Sequence, residues 1–234
     1  MFTIQRIMWH IKLLGHPVVS RSGQVFKVTP RRLSILTVLA LEGPMLRSQL
    51  ADLLWDESAP ETARMNLRVE LHRMRQDFAG LLQTGEMLSL PECTTDVDGF
   101  LSLLQDHQFE AAIQLCAGEL LQGWEIWEGP ALQSWLELHR EKMRQHLLWA
   151  LQSAAQQAEH LGAWQKALQH HRQALRINPY LEHHHQGSIR CQLHMGERQE
   201  ALRAYQRCQA LFQEDLGMLP LPDTTQLVLN LQGM

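Results

Sequence analysis

The stretch SAPETARMNLRVELHRMRQDF, residues 58–78, predicts an amphipathic helix that begins at Pro60. Proline suits the first helical turn, where its missing N–H group costs nothing, and Ser58 is placed to cap the helix. At about 100° per residue, one narrow arc of this helix carries only apolar side chains. We expect that arc to be buried; its members are Ala63, Leu67, Leu71, Met74 and Phe78.

The opposite face of this helix mixes cationic, apolar and amide side chains. It carries Arg64, Met65, Asn66, Arg68, Val69, His72, Arg73 and Arg75. In a DNA major groove, Arg reads guanine, Asn reads adenine, and apolar groups contact thymine methyls. A solvated surface helix fits the same residues, and Glu70 and Asp77 at its margin favour that interpretation. The stretch alone therefore leaves both interpretations open.

Composition limits the classes of function. The formal net charge is −4, and residues 1–99 hold equal numbers of basic and acidic side chains, so any nucleic-acid surface must be a local patch. Four widely spaced cysteines with no CxxC pair predict reduced, structural thiols in a cytoplasmic protein. The apolar N-terminus is interrupted by Arg6, His10 and Lys12, which predicts neither a signal peptide nor a membrane span.

The residues before the helix predict a small sheet followed by two more helices. Residues 3–14 and 24–28 read as three or four short antiparallel strands. A first helix should begin at Pro30, with Thr29 as its cap, and a second short helix should follow with Ser48 as its cap. The predicted buried residues of these two helices are Leu33, Leu36, Val38, Leu39 and Leu41, then Leu50, Leu53, Leu54 and Trp55. After Phe78, residues 81–90 predict a β-hairpin that turns at Thr84-Gly85.

Strands, three helices and a hairpin in this order make a winged helix-turn-helix. Several segments coincide with one family: LLG at 13–15 with Pro17, LLW at 53–55, NLRVELHRMR at 66–75 and DVDGF at 96–100. Over nearly all of residues 6–100 the chain resembles the DNA-binding half of SARP-type bacterial transcriptional activators, which use an OmpR/PhoB-type winged helix.

The resemblance implies two sets of DNA contacts. Base contacts are expected from Arg64, Met65, Asn66, Arg68, Val69, His72 and Arg75. Phosphate contacts are expected from Arg31, Arg32, Arg47, Ser48 and Arg73. The hairpin sequence QTGE, residues 83–86, has no basic residue, so we expect no strong minor-groove contact from the wing.

The second half of the chain predicts an all-α array of tetratricopeptide-like repeats. GAWQKAL at 162–168 recurs as GERQEAL at 196–202, at the 34-residue period of tetratricopeptide repeats. A divergent third start lies at 107–113, and we expect Trp124, Trp127, Trp135 and Trp149 to be core. This half resembles the bacterial transcriptional activator domain, most closely at residues 200–220.

Thirteen histidines invite a metal hypothesis, centred on His183, His184 and His185 with His170, His171 and His194. Adjacent helical residues point about 100° apart, so three consecutive histidines cannot bind one ion. We therefore expect surface histidines and no metal site. No phosphate-binding loop, dinucleotide fingerprint, HExxH or GxSxG motif is present, so we predict no enzymatic activity and no cofactor.

The sequence thus predicts a mainly α protein with an α+β winged helix (1–97), a tetratricopeptide-like domain (98–220) and a tail (221–234). Its predicted function is sequence-specific binding of double-stranded DNA as a cytoplasmic transcriptional regulator. An activator fits the resemblance best, with RNA polymerase or a σ factor as partner, a possible homodimer and no membrane association. Repression stays open, and so does the alternative of a protein-interaction scaffold whose winged helix does not bind DNA.

Overall fold

A computed structural model describes residues 8–85, 87–91, 93–124 and 129–232, with side chains to residue 229. It divides into two compact units, Met1–His107 with Gln114–Met143 and Gln108–Ile113 with Arg144–Met234. Expectations that rest on residues 3–7, Glu86 and Trp127 lie outside the described residues. No helix within the described ranges is both long and apolar enough to cross a membrane.

The first unit contains two small sheets and the three helices of the predicted winged helix. Its strands are β1 Trp9–Lys12, β2 Val18–Arg21, β3 Gln24–Phe26, β4 Met45–Leu46, β5 Gln83–Thr84, β6 Met87–Ser89 and β7 Cys93–Thr95. Its first four helices are α1 Pro30–Glu42, α2 Arg47–Leu54, α3 Pro60–Asp77 and α4 Asp96–Gln105. The strand orders are β3-β2-β1-β7 and β4-β6-β5.

The sheets differ from the sequence prediction in two respects. The fourth strand of the first sheet is β7, which follows the wing and pairs parallel to β1, with Trp9 opposite Cys93. The hairpin of β5 and β6 is antiparallel as predicted, and β4 adds a third strand to it. Parallel neighbours require a crossover connection, so the alternation of β1 could not reveal which distant segment pairs with it.

The DVDGF segment joins the two ends of the winged helix. The Asp96 carboxylate accepts hydrogen bonds from the backbone N–H groups of Leu13 (2.7 Å) and Leu14 (2.9 Å). Thr95 caps α4 by accepting a bond from the N–H of Asp98 at 2.9 Å. Asp96 thereby satisfies two backbone donors at the end of β1, and the LLG and DVDGF segments meet in space.

Residues 118–122 also belong to this first unit. The N–H of Gly15 donates to the Glu119 carbonyl at 2.8 Å, and the N–H of Leu121 donates to the Leu13 carbonyl at 2.7 Å. These bonds explain why the compact units do not follow a division at residue 97. The functional division into 1–97, 98–220 and 221–234 stays a prediction.

The second unit is formed by helix pairs. The remaining helices of the chain are α5 Phe109–Leu115, α6 Pro130–His160, α7 Trp164–Ile177, α8 Glu182–His194, α9 Arg198–Leu216 and α10 Pro222–Gln232. Helix α7 packs on α8, α8 packs on α9, and α10 packs on both α8 and α9. The tail at 221–234 therefore contains one small helix, α10, that packs on the repeats.

The two repeat starts have the same geometry. Gly162 and Gly196 precede α7 and α9 with φ values of +69° and +79°, which only glycine adopts without strain. Five residues further on, Ala167 and Ala201 are fully buried. The 34-residue period thus corresponds to two recurring features at the start of each repeat: a glycine with positive φ before the helix, and a buried alanine where two helices approach closely.

Three side-chain expectations were wrong. Ser58 does not cap α3, whose cap position is Ala59, and Ser48 lies inside the first turn of α2 rather than at its cap. Trp149 is 46% exposed, with its ring 5.1 Å from Phe109 in an edge-to-face contact. A capping preference and an aromatic side chain are local signals, and the neighbouring elements determined the outcome at all three positions.

Candidate nucleic-acid interface

Helix α3 is anchored through the predicted apolar arc. Ala63, Leu67, Leu71, Met74 and Phe78 are each between 0% and 3% exposed. Phe78, which follows the last turn, joins an aromatic cluster with Trp9 of β1 and Phe26 of β3, at ring separations of 6.0 and 6.2 Å. This packing sets the rotation of α3 about its axis and so determines which side chains face outward.

The outward face contains cations beside exposed apolar groups. Met65 is 59% exposed and Val69 is 43% exposed, although both are large hydrophobic residues. Arg64, Arg68 and His72 are exposed along the same side, and Asn66 is half-buried. Within the described residues, Arg64 and Arg68 form no ion pair, so their guanidinium groups are available to an anionic partner.

The start of α2 lies beside this face. A cleft of about 220 Å³ is lined by Arg47, Ser48, Arg64, Leu67, Arg68 and Leu71. Arg47 and Ser48 begin α2, where backbone N–H groups without helical partners and the helix dipole both favour anions. The structure therefore brings together four of the expected contact residues, Arg47 and Ser48 from the phosphate set with Arg64 and Arg68 from the base set.

Other predicted contact residues are engaged inside the protein. Arg32, whose side chain is 14% exposed, forms ion pairs with Glu70 at 3.1 Å and with Asp77. Arg73 pairs with the second oxygen of Glu70 at 3.0 Å, although its own side chain is 56% exposed. The two Arg32 pairs link α1 to the margin of α3, whereas the Arg73 pair lies within α3.

Two further arginines contact neighbouring elements. Arg31 donates to the Leu54 carbonyl at 3.1 Å, and its guanidinium lies 4.8 Å from the centre of the Trp55 ring. Arg75 donates to the Thr84 hydroxyl, which ties α3 to the wing strand β5. Sequence reasoning missed these contacts because each joins residues on different elements.

A second polar cluster lies in the helical unit and corrects the expectation of surface histidines. His170, His171 and His184 are only 6%, 1% and 1% exposed. Nε2 of His171 lies 2.8 Å from a carboxylate oxygen of Glu159, and its Nδ1 lies 2.9 Å from Nδ1 of His184. These polar side chains can be buried because each has a hydrogen-bond partner on another helix.

Glu159, His171 and Cys191 could in principle hold a metal ion, since one ligand atom from each lies within 4.8 Å of the others. However, Arg190 already contacts both oxygens of Glu159, at 3.1 and 3.2 Å, and supplies the positive charge. Burial, with a smaller effect of the Glu159 charge, raises the pKa of Cys191 to about 12, so its thiol stays protonated. The cluster is therefore best described as a buried ion network.

The histidines of this network have lowered pKa values, which favours their neutral forms. Burial lowers the pKa of His171, although its hydrogen bond to Glu159 opposes the change. Burial and the neighbouring histidines lower the pKa of His184 to about 3. Because Glu159 can only accept, Nε2–H of His171 donates to it, and Nδ1 of His171 accepts from Nδ1–H of His184.

Comparison with known proteins agrees with this architecture. None of the curated proteins compared with the chain matches it. A solved structure, Mycobacterium tuberculosis EmbR in complex with a low-affinity phosphopeptide, has the same fold with a TM-score of 0.73 and 18% sequence identity. The match covers 97% of this chain and 66% of that one.

A family model, described as the bacterial transcriptional activator domain, matches residues 95–232, which is more than half of the chain. The N-terminal winged helix and this domain stand in the order that the SARP-type resemblance predicted. The chain therefore belongs to the bacterial transcriptional activator domain family, which the resemblance of its second half predicted.

Proposed function

We propose that this protein binds double-stranded DNA in a sequence-specific manner and activates transcription. The observation that carries the proposal is the outward face of α3, where Arg64 and Arg68, which form no ion pair with any described residue, flank the exposed Met65 and Val69. A solvated surface gains nothing from two large exposed apolar side chains between cations. A major groove offers guanine acceptors to Arg64 and Arg68, and it offers thymine methyl groups to Met65 and Val69.

Arg47 and Ser48 would position the protein on the phosphate backbone. They lie at the start of α2 and share a cleft with Arg64 and Arg68. A helix-turn-helix places its first helix across the backbone while its second helix enters the groove. Phosphate contacts set orientation, whereas contacts to base edges carry the sequence information.

Arg32 and Arg73 could contact a phosphate only by leaving their carboxylate partners within the protein. Arg73 can leave Glu70 for a phosphate at small cost, since an exposed ion pair contributes about 0–1 kcal/mol. Arg32 is nearly buried between Glu70 and Asp77, so its release would cost more. We therefore rank Arg73 above Arg32 as a phosphate contact, and we keep Asn66, His72 and Arg75 as base contacts.

The partners of the helical unit are also part of the proposal. We infer that the protein acts in the cytoplasm, that the helix pairs contact RNA polymerase or a σ factor, and that two copies bind adjacent sites. Family membership supports the role in activation. Transcription in vitro with purified polymerase, with and without the protein, measures that role directly.

The DNA proposal is tested by selecting bound sequences from a random pool with the full chain, followed by footprinting. We expect a defined site and an affinity that falls steeply with salt, because each neutralised phosphate releases counterions. Failure to enrich any sequence would favour the alternative, a scaffold in which the winged helix contacts protein. In that case the helical repeats would still be expected to capture a protein partner.

A further inference from the structure

A second basic cleft, in the helical unit, is distinct from the DNA-binding surface proposed above. Its volume is about 310 Å³, and helices α7, α8 and α9 all contribute to it. Its lining consists of Arg172, Leu175, Arg176, His185, Ser188, Gln192, Ala204 and Arg207. The spacing of Arg172 and Arg176 places both on one face of α7.

The cleft concentrates positive charge. Arg172, Arg176 and Arg207 are exposed, they form no ion pair with any described residue, and the lining contains no carboxylate. Burial lowers the pKa of His185, with Arg207 adding to the effect and the Pro179 carbonyl and Glu182 opposing it. The three guanidinium groups therefore carry the charge of the cleft, and they repel one another unless an anion lies between them.

Two buried polar side chains in the lining have unsatisfied hydrogen-bonding groups. Ser188 is 6% exposed and Gln192 is 1% exposed. The Ser188 hydroxyl and both polar atoms of the Gln192 amide have no hydrogen-bond partner among the described residues. Leaving such a group unsatisfied costs about 1–3 kcal/mol, and most buried polar side chains have a partner. Both residues line the basic cleft, but these polar atoms are themselves enclosed, so a ligand there would satisfy them only if the side chains turned towards it.

We propose that this cleft binds a small phosphate monoester. A phosphate dianion presents three terminal oxygens, which can accept from guanidinium groups arriving from different helices, as well as from the amide of Gln192 and the hydroxyl of Ser188. A single carboxylate is planar, carries one charge and is saturated by one or two arginines. The volume is at the lower end for small-molecule sites, which suits a ligand about the size of a sugar phosphate.

The test is calorimetric titration of the full chain with inorganic phosphate, glycerol 3-phosphate and ribose 5-phosphate, and with succinate for comparison. We expect phosphate esters to bind with one-to-one stoichiometry and more tightly than succinate. Arg172→Gln and Arg207→Gln should each weaken binding by about tenfold or more, because each removes a charge-assisted hydrogen bond. Arg203→Gln, an equal loss of charge on α9 outside the lining, should leave the affinity unchanged.

Gln192→Leu separates a binding role from a structural one. It removes an unsatisfied buried amide at nearly constant volume, so we expect an equal or higher unfolding temperature together with at least tenfold weaker phosphate binding. A lower unfolding temperature with unchanged binding would overturn the assignment of Gln192. Absence of binding by any phosphate ester, or equal weakening by Arg203→Gln, would overturn the site itself. If an acidic peptide or DNA bound at the cleft and no phosphate ester did, the site would belong to a macromolecule instead.

Discussion

A Cβ atom added at Gly187 would overlap the Cε1 and Nε2 atoms of the His171 ring. Gly187 is buried in the middle of α8, where glycine weakens a helix by about 1 kcal/mol relative to alanine. Its lack of a side chain makes room for the imidazole between α7 and α8. The ring cannot move aside freely, because Glu159 and His184 hold its two nitrogens.

Gly187→Ala should therefore destabilise the protein. The steric cost of overpacking is about 1–3 kcal/mol and the gain in helix propensity is about 1 kcal/mol, so we expect a net loss of up to about 2 kcal/mol in the free energy of unfolding. Urea denaturation followed by circular dichroism measures it. Gly99→Ala is the matched control in α4, where the nearest atom is the flexible Cδ2 of Leu115 at 3.1 Å. Equal effects of the two substitutions would contradict the packing argument.

The buried histidines should make the protein sensitive to acid. Because the pKa of His184 in the folded protein is about 3 and that of His171 is also lowered, the unfolded chain binds more protons than the folded one below pH 6.5. Their contribution is complete above pH 6.5 and falls as the pH decreases towards the folded pKa. Between pH 7.5 and 5 we expect a loss on the order of 2 kcal/mol from His184 in the free energy of unfolding, with a further loss from His171.

Denaturation at the two pH values, monitored by circular dichroism, measures this loss. Glu159 and Arg190, which face His171 from α6 and α8, also belong to the network. His184→Gln should reduce the difference between pH 7.5 and 5, whereas His146→Gln, at an exposed position on α6, should leave it unchanged. An equal pH dependence in the wild type and in His184→Gln would exclude His184 as its source.

Arg68→Ala should weaken binding to the selected DNA site and relax its specificity. A bidentate contact to guanine contributes about 1–3 kcal/mol of discrimination, so we expect the affinity ratio between the selected and a scrambled site to fall by roughly tenfold. Fluorescence anisotropy titrations measure both affinities. Arg198→Ala, which removes an equal charge on α9, should change neither. Intact discrimination by Arg68→Ala would show that the assignment of α3 to the groove is wrong.

Arg47→Ala should weaken binding to all DNA sequences alike. Arg47 lies at the start of α2, so its loss removes a phosphate contact and should reduce the slope of log affinity against log salt by about 1. Titrations at several salt concentrations measure the slope. A change in sequence preference instead would place Arg47 on a base edge.

Arg32→Gln should affect stability more than DNA binding. Its guanidinium bridges Glu70 and Asp77 at the margin of α3, and among the described residues its loss leaves Glu70 paired with the exposed Arg73 alone. We expect a loss of about 1–2 kcal/mol in the free energy of unfolding, with the salt slope of DNA binding unchanged. Unchanged stability together with a lower salt slope would restore Arg32 as a phosphate contact.

The periodicity of residues 58–78 predicted the buried arc of α3 correctly, because 3.6 residues per turn determines which side chains share a face. The repeat of 34 residues likewise predicted the paired helices, which α7, α8 and α9 form. These features depend on neighbours within one or two turns of the chain. The order of residues along the chain is therefore sufficient to predict the buried face of α3 and the paired helices.

Tertiary structure alone decided which charges are free and which polar groups are buried. Arg32 and Arg68 look alike in sequence, yet Arg32 meets Glu70 across two helices whereas Arg68 faces outward. Glu159, His171 and Cys191 come from three different helices, and β7 pairs with β1 across more than eighty residues. Ion pairing and burial depend on partners that are distant in sequence, and only the packing of whole elements brings those partners together.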